Sequence, residues 1–462
     1  MTHDLLVLGA GAGGLSAARA GVRAGLVTAL VTDGPIGGDC TFTGCVPSKT
    51  LLAAAAAGAT AKDALVRVRA TVTRVAATET PDVLRGEGVD VVAGRARFTG
   101  PRSVVTDDGR ALAAPRIVLA TGSSPQVPDG LADVDPLTTD TVFDLDDAPG
   151  SLAVLGAGPA GCELAQAFAR LGTAVTLLDR AERVLPGLDA EAGEVVADAL
   201  RRDGVDLRLG TAASRVEALP GGRVRVDPAG VDADRLLVVT GRRPATAGLD
   251  LHRAGVGVGA GGAVTVDHHL VTTTPGVAAV GDVTAVCPHT HAADEMGRVA
   301  VRNVGRPGWR RRRFRVDLVP RVVFTDPEVA TIGLTEDRAG PDAWVAEIPM
   351  TAVDRAVTAG REDGFVKLVA GPLPGTGRLT RDGLARVGGG RLLGATIVAE
   401  RAGEMIAEVA LAMRLGALTG RLAQTVHAYP TWSLAVRQAA AALATGSGAG
   451  VTVRRAVRRA GR

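Results

Sequence analysis

Two closely spaced cysteines are the most informative chemical feature of this chain. Cys40 and Cys45 lie in the run from Gly37 to Lys49, shortly after a glycine-rich loop that begins at Gly9. The 462 residues include only four cysteines. A close pair of them beside a glycine-rich, nucleotide-binding loop therefore indicates two-electron transfer between a cofactor and sulfur. The spacing differs from the C-x-x-C motif of thioredoxin-type proteins, and the sequence has no second pair to complete a zinc site.

The residues around Cys45 predict a local structure that would activate its sulfur. Gly44 and Pro47 predict a helix that begins near Cys45, with Pro47 in its first turn. Unpaired N–H groups and the helix dipole at such a terminus stabilise a thiolate, so the pKa of this cysteine should fall below the ~8.5 of an ordinary one. Cys162 and Cys287 are expected to be ordinary buried or half-buried thiols.

Two glycine-rich loops have the spacing of dinucleotide-binding turns. Each follows a short apolar strand and precedes an alanine-rich helix and a second apolar strand. Asp33 and Asp179 stand where those second strands end. This is the opening of a Rossmann βαβ unit, in which glycines let the backbone approach a pyrophosphate at a helix N-terminus. The loop glycines are Gly9, Gly11 and Gly14 in the first copy and Gly156, Gly158 and Gly161 in the second.

Composition limits the classes of partner and the location. A net charge of +3 provides no global field for nucleic acid, and 46% apolar with 22% charged residues is typical of a soluble globular protein. The sequence has no apolar run of the ~18 residues that indicate a membrane span. Four cysteines in a chain of this length fit a reducing compartment. We therefore expect a cytoplasmic protein without nucleic-acid or membrane partners.

Eight motifs in a fixed order give the chain a resemblance to a known family. The sequence resembles the pyridine nucleotide–disulfide oxidoreductases almost from end to end. The resemblance implies an α/β fold with two Rossmann-like dinucleotide-binding domains and a C-terminal α+β dimerisation domain. The motifs are Gly9–Gly14, Cys40–Lys49, Ala120–Gly122, Gly156–Glu163, Thr240–Pro244, Val280–Asp282, Thr290 with His291, and Phe324–Glu328.

The resemblance and the linker-like segments also imply a division into domains. We expect the first part of an FAD-binding domain over residues 1–148 and an NAD(P)-binding domain over 149–262. The chain should return to the FAD-binding domain over 263–317. A dimerisation domain over 318–445 and a basic flexible tail over 446–462 would complete it.

The resemblance implies that FAD occupies the first nucleotide site. The adenosine half would lie over Gly9, Gly11 and Gly14. The acidic residue that usually contacts the ribose aligns with Thr32, and the neighbouring Asp33 is the nearest carboxylate. Asp282 resembles the aspartate that binds the ribityl or pyrophosphate region. The further FAD contacts implied are Lys49, Ala96, Gly122, Gly281 and Thr290, the last of these near the isoalloxazine.

The second site is expected to bind the nicotinamide cofactor. A carboxylate at Asp179 can accept hydrogen bonds from both ribose hydroxyls and would repel a 2′-phosphate, which favours NADH over NADPH. Gly161 agrees with this preference, whereas Arg180 and Arg183 leave NADPH as an alternative. The same family motifs add Gly241 to the residues expected to bind cofactor.

The family also assigns roles to the thiols and to one charged pair. By resemblance, Cys45 faces the flavin and forms the charge-transfer thiolate, while Cys40 is the interchange thiol that meets the acceptor. Lys49 and Glu163 resemble the ion pair near flavin N5, where a cation would stabilise negative charge on the reduced ring.

The C-terminal motif departs from the family pattern. Members that act on thiols carry a His-Pro-Thr-x-x-Glu run from the partner subunit, but here Tyr429 replaces the histidine and Leu434 replaces the glutamate. A tyrosine with a pKa near ~10 is a poor base at neutral pH. His427 lies two positions earlier and is a candidate replacement. Both Tyr429 and His427 would line the exit to the acceptor in a homodimer.

The missing dyad favours an acceptor that needs electrons more than a positioned proton. We predict a homodimeric FAD enzyme that passes electrons from NADH through the flavin and a Cys40–Cys45 disulfide to a small-molecule or small-protein acceptor. That acceptor would be a metal ion, a quinone or a disulfide. The alternatives are a dihydrolipoyl dehydrogenase or mercuric reductase proper, a flavin-to-quinone reductase that does not use the cysteines, and a non-catalytic flavoprotein sensor or subunit.

Overall fold

The chain divides into two structural units, each built from two separate segments. The computed structural model describes residues 3–131, 134–372, 380, 383 and 388–456. The first unit contains Met1–Pro149 and Arg235–Val316, and the second contains Gly150–Asp234 and Asp317–Arg462. Within the described ranges, no helix is both long and apolar enough to cross a membrane.

A parallel five-stranded sheet forms the centre of the first unit. Its central strand is the apolar run Leu5–Leu8, which is buried along its whole length, as expected for a parallel strand covered on both faces. Leu5 lies opposite Thr28 on one side and Arg116 on the other. The strand order is Val277–Ala279, Arg116–Leu119, Leu5–Leu8, Thr28–Thr32 and Val89–Ala93.

Helices and small antiparallel sheets surround this parallel sheet. The helices of the unit are Ala12–Arg23, Gly38–Phe42, Cys45–Ala56, Ala61–Ala76, Pro81–Gly86, Leu251–Ala254 and Thr290–Asn303. The three-stranded sheet contains Ala96–Gly100, Ser103–Thr106 and Ala111–Ala113, and the two-stranded one pairs Ser123–Pro125 with Arg242–Pro244. A further strand is Arg235–Val238.

The second segment of the first unit begins at Arg235, within the range 149–262 predicted for the NAD(P)-binding domain. The predicted bounds of that domain stay a prediction. Packing holds this segment in the first unit: Leu249 and Leu251 are buried in the same core as Leu6 and Phe98. Pairing of Arg242–Pro244 with Ser123–Pro125 adds main-chain hydrogen bonds to this attachment.

The nucleotide-binding part of the second unit repeats the strand–loop–helix pattern. Parallel strands lie in the order Asp206–Leu209, Ala174–Asp179 and Ser151–Leu155. The helix Pro159–Arg170 follows the strand Ser151–Leu155 in the chain. The helix Ala190–Arg202 follows the strand Ala174–Asp179. An antiparallel sheet of Arg215–Ala218, Val224–Asp227 and Val231–Ala233 completes this part.

An antiparallel six-stranded sheet forms the rest of the second unit. Its order is Arg321–Val323, Glu328–Gly333, Arg391–Ala399, Phe365–Gly371, Trp344–Pro349 and Thr452–Arg455. The helices here are Asp354–Ala359, Ala402–Leu415, Thr419–Gln424 and Leu434–Thr445. The sheet and the helices Ala402–Leu415 and Leu434–Thr445 share one apolar core. The predicted α/β fold with a C-terminal α+β part is therefore confirmed.

Buried polar contacts join the two parts of the second unit. Thr396 in the large sheet hydrogen-bonds the buried Asp189, and the fully buried Lys367 lies 3.4 Å from Glu191. Arg170 bridges Asp203 and Asp326 at 3.0 Å each. These contacts hold the nucleotide-binding strands and the antiparallel sheet in one unit.

Part of the basic C-terminus forms a strand, in contrast to the flexible tail expected over 446–462. Thr452–Arg455 pairs antiparallel with Trp344–Pro349, and Arg454 lies 2.7 Å from both Glu336 and Glu347. Main-chain pairing and these two carboxylates hold the segment in place. Its basic composition alone did not predict a strand here. Residues 457–462 of the predicted tail lie outside the described residues.

Close packing at the first glycine loop gives a direct test of the fold. A Cβ at Gly14 would lie 1.8 Å from the Gly9 carbonyl oxygen, whereas a Cβ at Gly86 would meet no heavy atom within 4 Å. We expect Gly14→Ala to lower the free energy of unfolding by about 1–3 kcal/mol or more. Gly86→Ala, also in a helix of this unit, should leave it unchanged or raise it by up to ~1 kcal/mol. Urea denaturation of both variants measures this, and equal stability of the two would contradict the packing.

Candidate active site

A cavity of about 700 Å³ opens at the carboxyl edge of the parallel sheet in the first unit. Strands of an open α/β sheet bind ligands at this edge. Most of the residues predicted to bind FAD line the cavity, together with one of the two predicted redox cysteines. They are Gly9, Gly11, Thr32, Asp33, Ala96, Gly122, Gly281, Asp282, Thr290 and Cys40.

The first glycine loop fits the pyrophosphate of a dinucleotide. Gly9 has φ +105°, and a Cβ there would lie 2.3 Å from the Ala120 carbonyl oxygen, so only glycine is accommodated. Gly11 precedes the helix Ala12–Arg23, and a Cβ at Gly11 would meet no protein atom within 4 Å. The N–H groups that begin this helix therefore face open cavity, where they can bind an anion. Gly14 lies within that helix and packs against Gly9.

The second strand of this unit ends on two polar residues that face the cavity. Thr32 is the last residue of Thr28–Thr32, and its hydroxyl donates to the Gly34 carbonyl at 3.1 Å. Asp33 follows, with its carboxylate 3.9 Å from Arg95. The Thr32 hydroxyl proton is already donated to the Gly34 carbonyl. Asp33 is therefore the residue that can accept hydrogen bonds from a ribose at this end of the cavity.

Two consecutive helices position the two cysteines. Cys40 lies in Gly38–Phe42, and Cys45 is the first residue of Cys45–Ala56, as the sequence predicted. The Cys45 sulfur lies 3.3 Å from the Thr290 hydroxyl oxygen. Thr290 in turn is the first residue of Thr290–Asn303. Two helix N-termini therefore meet at one sulfur, where their dipoles favour negative charge.

The surroundings of Cys40 favour its protonated form. A hydrogen bond with Cys45 raises the pKa of the half-buried Cys40 thiol most strongly, and burial raises it further. A hydrogen bond with Thr290 acts in the opposite direction and is outweighed. The net effect is a Cys40 thiol whose pKa lies above that of an ordinary cysteine. Cys162 and Cys287 are both buried, as predicted.

Arg242 connects the segments around the cavity, and sequence reasoning did not assign it a role. Its guanidinium donates to the Ser123 hydroxyl at 2.7 Å, the Ser123 carbonyl at 2.9 Å and the Thr139 hydroxyl at 3.1 Å, and it pairs with Asp39. Ser123 in turn donates to the Asp282 carboxylate at 2.8 Å. Arg242 stands in the quoted Thr240–Pro244 motif, so the motif was the available signal.

The Arg242 network also controls the charge next to Cys40. Burial raises the pKa of Asp39, which immediately precedes Cys40, and the positive charge of Arg242 opposes that effect. Arg242 therefore limits the rise in the pKa of the carboxyl group that precedes Cys40. Asp282, held by Ser123, is the second carboxylate of this network to line the cavity.

The second glycine loop is organised around Asp179. The Asp179 carboxylate accepts from the Ala157 N–H at 2.6 Å and from the Ala181 N–H at 2.8 Å. Gly156 has φ +111°, and Gly158 precedes the helix Pro159–Arg170, in which Gly161 is buried. This arrangement reproduces the features of a dinucleotide loop. The predicted contact Gly241 lies in the first unit, where its carbonyl accepts from the Gln126 N–H at 3.0 Å.

Lys49 and Glu163, predicted as an ion pair, lie in different units, and their pairing stays a prediction. Lys49 is half-buried in Cys45–Ala56, one turn after Cys45. Glu163 is only 4% exposed and accepts from the Phe324 N–H at 2.8 Å. This contact connects two of the quoted motifs, Gly156–Glu163 and Phe324–Glu328.

The C-terminal segment contains two polar pairs whose acidic partners the sequence did not reveal. His427 has one ring nitrogen 2.8 Å from Glu408 and the other 2.9 Å from the Thr425 carbonyl. Its side chain is only 6% exposed. Tyr429 is 70% exposed and donates to Asp354 at 2.9 Å. That hydrogen bond raises the pKa of the Tyr429 phenol, which makes it a still poorer base.

Comparisons with known proteins identify the class to which this fold and site belong. Residues 3–297 match the pyridine nucleotide-disulphide oxidoreductase family, and residues 319–380 and 383–440 match the dimerisation domain of that family. The chain therefore belongs to the pyridine nucleotide-disulphide oxidoreductases.

Individual relatives match nearly the full chain. A dihydrolipoyl dehydrogenase of Thermus scotoductus is 34% identical, covering 96% of this chain and 97% of the relative. A mercuric reductase of Bacillus cereus is 33% identical, covering 93% of this chain and 69% of the relative. The Cu(II) complex of the HOCl-induced flavoprotein disulfide reductase RclA from Escherichia coli has a TM-score of 0.85 at 28% identity, covering 96% of this chain and 99% of that chain.

These relationships establish the general activity and cofactors. The protein is an FAD-dependent oxidoreductase that uses a pyridine nucleotide, and the first glycine loop and its cavity fit FAD. The predicted family, enzyme class and cofactors FAD and NAD(P)H are confirmed.

Loss of the Arg242 contacts should weaken the site. Arg242→Met removes the charge and all of these hydrogen bonds, and we expect the free energy of unfolding at pH 7 to fall by about 1–2 kcal/mol. The pKa of Asp39 should rise further in this variant. When the pKa of a carboxyl group is higher in the folded than in the unfolded state, the protein loses stability at pH values above the unfolded-state pKa. The difference in free energy of unfolding between Arg242→Met and the unmodified protein should therefore shrink as the pH falls to 4. Urea denaturation at both pH values measures this against Arg243→Met, a change of the exposed neighbour. Equal stability of the two variants at pH 7 would contradict the role of Arg242.

Proposed function

We propose that this protein is a homodimeric oxidoreductase in which electrons from NADH reach an external acceptor through a reversible Cys40–Cys45 disulfide. When bound, FAD supplies the two-electron chemistry that links the nicotinamide to sulfur. Two electrons and one proton break the S–S bond, leaving a thiol at Cys40 and a thiolate at Cys45. The bond forms again when two electrons pass to the acceptor and Cys40 releases its proton.

One observation carries this proposal: the Cys45 sulfur lies where two helices begin. The N-termini of Cys45–Ala56 and Thr290–Asn303 both favour a thiolate at this position. Cys40 and Thr290 line the cavity that fits FAD. Two structural thiols would not require this electrostatic setting, whereas a redox pair with one thiol and one thiolate does.

The C-terminal segment supports acceptors that do not depend on a protein base. Tyr429 is held as a hydrogen-bond donor by Asp354, and both ring nitrogens of His427 already face acceptors. A metal ion, a quinone or a small-protein disulfide with its own acid suits this segment better than dihydrolipoamide. The names of two relatives, a mercuric reductase and a Cu(II) complex of a disulfide reductase, support the metal ion. A cytoplasmic location remains part of this proposal.

The preference for NADH rests on Asp179. Its carboxylate is fixed by two backbone N–H groups at the end of its strand, and a 2′-phosphate there would meet like charge. We expect a higher kcat/KM with NADH than with NADPH in the unmodified enzyme. Asp179→Asn keeps the shape of the side chain and removes its charge. It should lower the ratio of kcat/KM with NADH to kcat/KM with NADPH by about tenfold. Initial rates with both nucleotides measure this, and a native preference for NADPH would reject it.

Serine substitutions test whether the thiol pair carries the electrons. Cys40→Ser and Cys45→Ser should each lower turnover with a metal-ion or disulfide acceptor by roughly 100-fold or more, because no S–S bond can form. Cys162→Ser is the matched control, since Cys162 is buried and its sulfur donates to the Ala157 carbonyl, which a serine can also do. Steady-state NADH oxidation, with FAD content checked by absorbance, is the measurement.

The same variants separate the competing functions. Quinone reduction that continues unchanged in both cysteine variants would show that electrons leave FAD without using sulfur. Negligible NADH oxidation by the unmodified protein across metal ions, quinones and disulfides, with both nucleotides bound, would indicate a non-catalytic role and would overturn the proposal.

A further inference from the structure

A strongly basic segment near the end of the first unit exposes a tryptophan to solvent. Residues 302–315 contain seven arginines and no aspartate or glutamate. Trp309, in the middle of this segment, is 78% exposed, whereas Trp344 and Trp432, the other two tryptophans of the chain, are 8% and 9% exposed. Since the fold buries two indole rings and leaves this one in water among positive charges, the segment is a candidate interaction surface.

A buried asparagine holds the two ends of this segment together. Asn303 donates to the carbonyl oxygens of His269 and Arg312 at 2.9 and 2.6 Å, and it accepts from the Arg312 N–H at 2.8 Å. Both Asn303 and Phe314 are buried. These contacts close residues 304–313 into a loop, which we call the arginine loop.

Contacts within the arginine loop shape the turn around the tryptophan. The Arg310 N–H donates to the Pro307 carbonyl at 3.0 Å, and the guanidinium carbon of Arg310 lies 4.4 Å from the centroid of the Trp309 ring. A Cβ at Gly308 would meet no heavy atom within 4 Å, so the turn faces open space. The surface is therefore preorganised, and binding would cost little further ordering of the chain.

Much of the positive charge of the arginine loop is not balanced by acidic side chains. Arg311 lies 4.0 Å from Asp267. Arg312 lies 4.0 Å from Glu295, a carboxylate that is already shared with a second arginine. Three further arginines of the loop are exposed and form no ion pair with the carboxylates of the described residues: Arg306, Arg310 and Arg313. The loop therefore surrounds an exposed indole with uncompensated positive charge.

We propose that the arginine loop docks this protein on an anionic phospholipid surface. Tryptophan favours the boundary between headgroups and acyl chains, and arginine pairs with the phosphates that lie there. Docking of this kind requires no spanning helix, and the cytoplasmic leaflet is the anionic one, which agrees with a cytoplasmic enzyme. The expectation of no membrane partner rested on a whole-chain charge of +3, which does not describe this local cluster.

The aromatic content of the loop favours lipid over nucleic acid. Proteins that bind single strands stack successive bases on several aromatic side chains along a groove. The only other aromatic residue of 302–315 is Phe314, and it is buried. Arg310 already lies over the Trp309 ring. One exposed indole among guanidinium groups suits insertion between headgroups better than it suits base stacking.

The test measures flotation of the full-length, FAD-loaded protein with phospholipid vesicles. Vesicles of equal parts phosphatidylcholine and phosphatidylglycerol should bind the protein, and vesicles of phosphatidylcholine alone should not. Arg310→Gln combined with Arg313→Gln should lower the partition coefficient about tenfold or more, because each arginine near an anionic surface contributes several-fold. The matched control is Arg67→Gln combined with Arg74→Gln, which removes the same charge from two exposed arginines of the helix Ala61–Ala76.

Tryptophan fluorescence gives a second measurement that reports on the indole itself. Since Trp344 and Trp432 are buried, a shift of the emission to shorter wavelength on addition of the mixed vesicles would come from Trp309. Trp309→Ala should abolish that shift and lower the partition coefficient roughly tenfold. FAD content should stay at the native level in every variant, because the arginine loop does not line the cofactor cavity.

Each contrary outcome overturns this inference without touching the proposed function. Failure of the mixed vesicles to bind the protein, or equal binding to both kinds of vesicle, would reject an anionic lipid surface. An equal loss in the Arg67 and Arg74 control would show that total charge, and not the loop, is the cause. Binding of a single-stranded oligonucleotide through Arg310 and Arg313, with no binding to vesicles, would identify nucleic acid as the partner instead. None of these measurements depends on the route that electrons take.

Discussion

The structure depends on helix N-termini that are directed at the carboxyl edge of one parallel sheet. One such terminus follows Gly11 and faces the cavity, and two more begin at Cys45 and Thr290. Together they place positive potential where a dinucleotide phosphate and a thiolate would each carry negative charge. The close glycine contacts keep these termini in place, since larger side chains at Gly14 or Gly297 would separate the elements.

Local sequence rules were sufficient wherever a feature is set by neighbouring residues. The two glycine loops, the helix that begins at Cys45 and the helix Ala402–Leu415 all follow from spacing, capping and apolar periodicity. These features involve contacts within a few residues along the chain, so one sequence contains the information required.

Long-range partners could not be predicted in this way. Arg242 pairs with Asp39 across about 200 residues of sequence. His427 and Tyr429 lie outside helices and contact Glu408 and Asp354, which lie in helices earlier in the chain. No spacing rule connects such residues, since the topology of the sheets brings them together. The packing of Leu249 and Leu251 in the same core as Leu6 and Phe98 likewise joins residues far apart in sequence.

The ordered C-terminus has a practical consequence for handling this protein. Thr452–Arg455 is the outermost strand of the six-stranded sheet and covers the main-chain groups of Trp344–Pro349. Deletion of the basic terminus as if it were dispensable would uncover a row of unsatisfied amide and carbonyl groups beside an aromatic side chain. Exposed edges of this kind recruit strands from other molecules. A purification handle that leaves Thr452–Arg455 intact therefore avoids this self-association hazard.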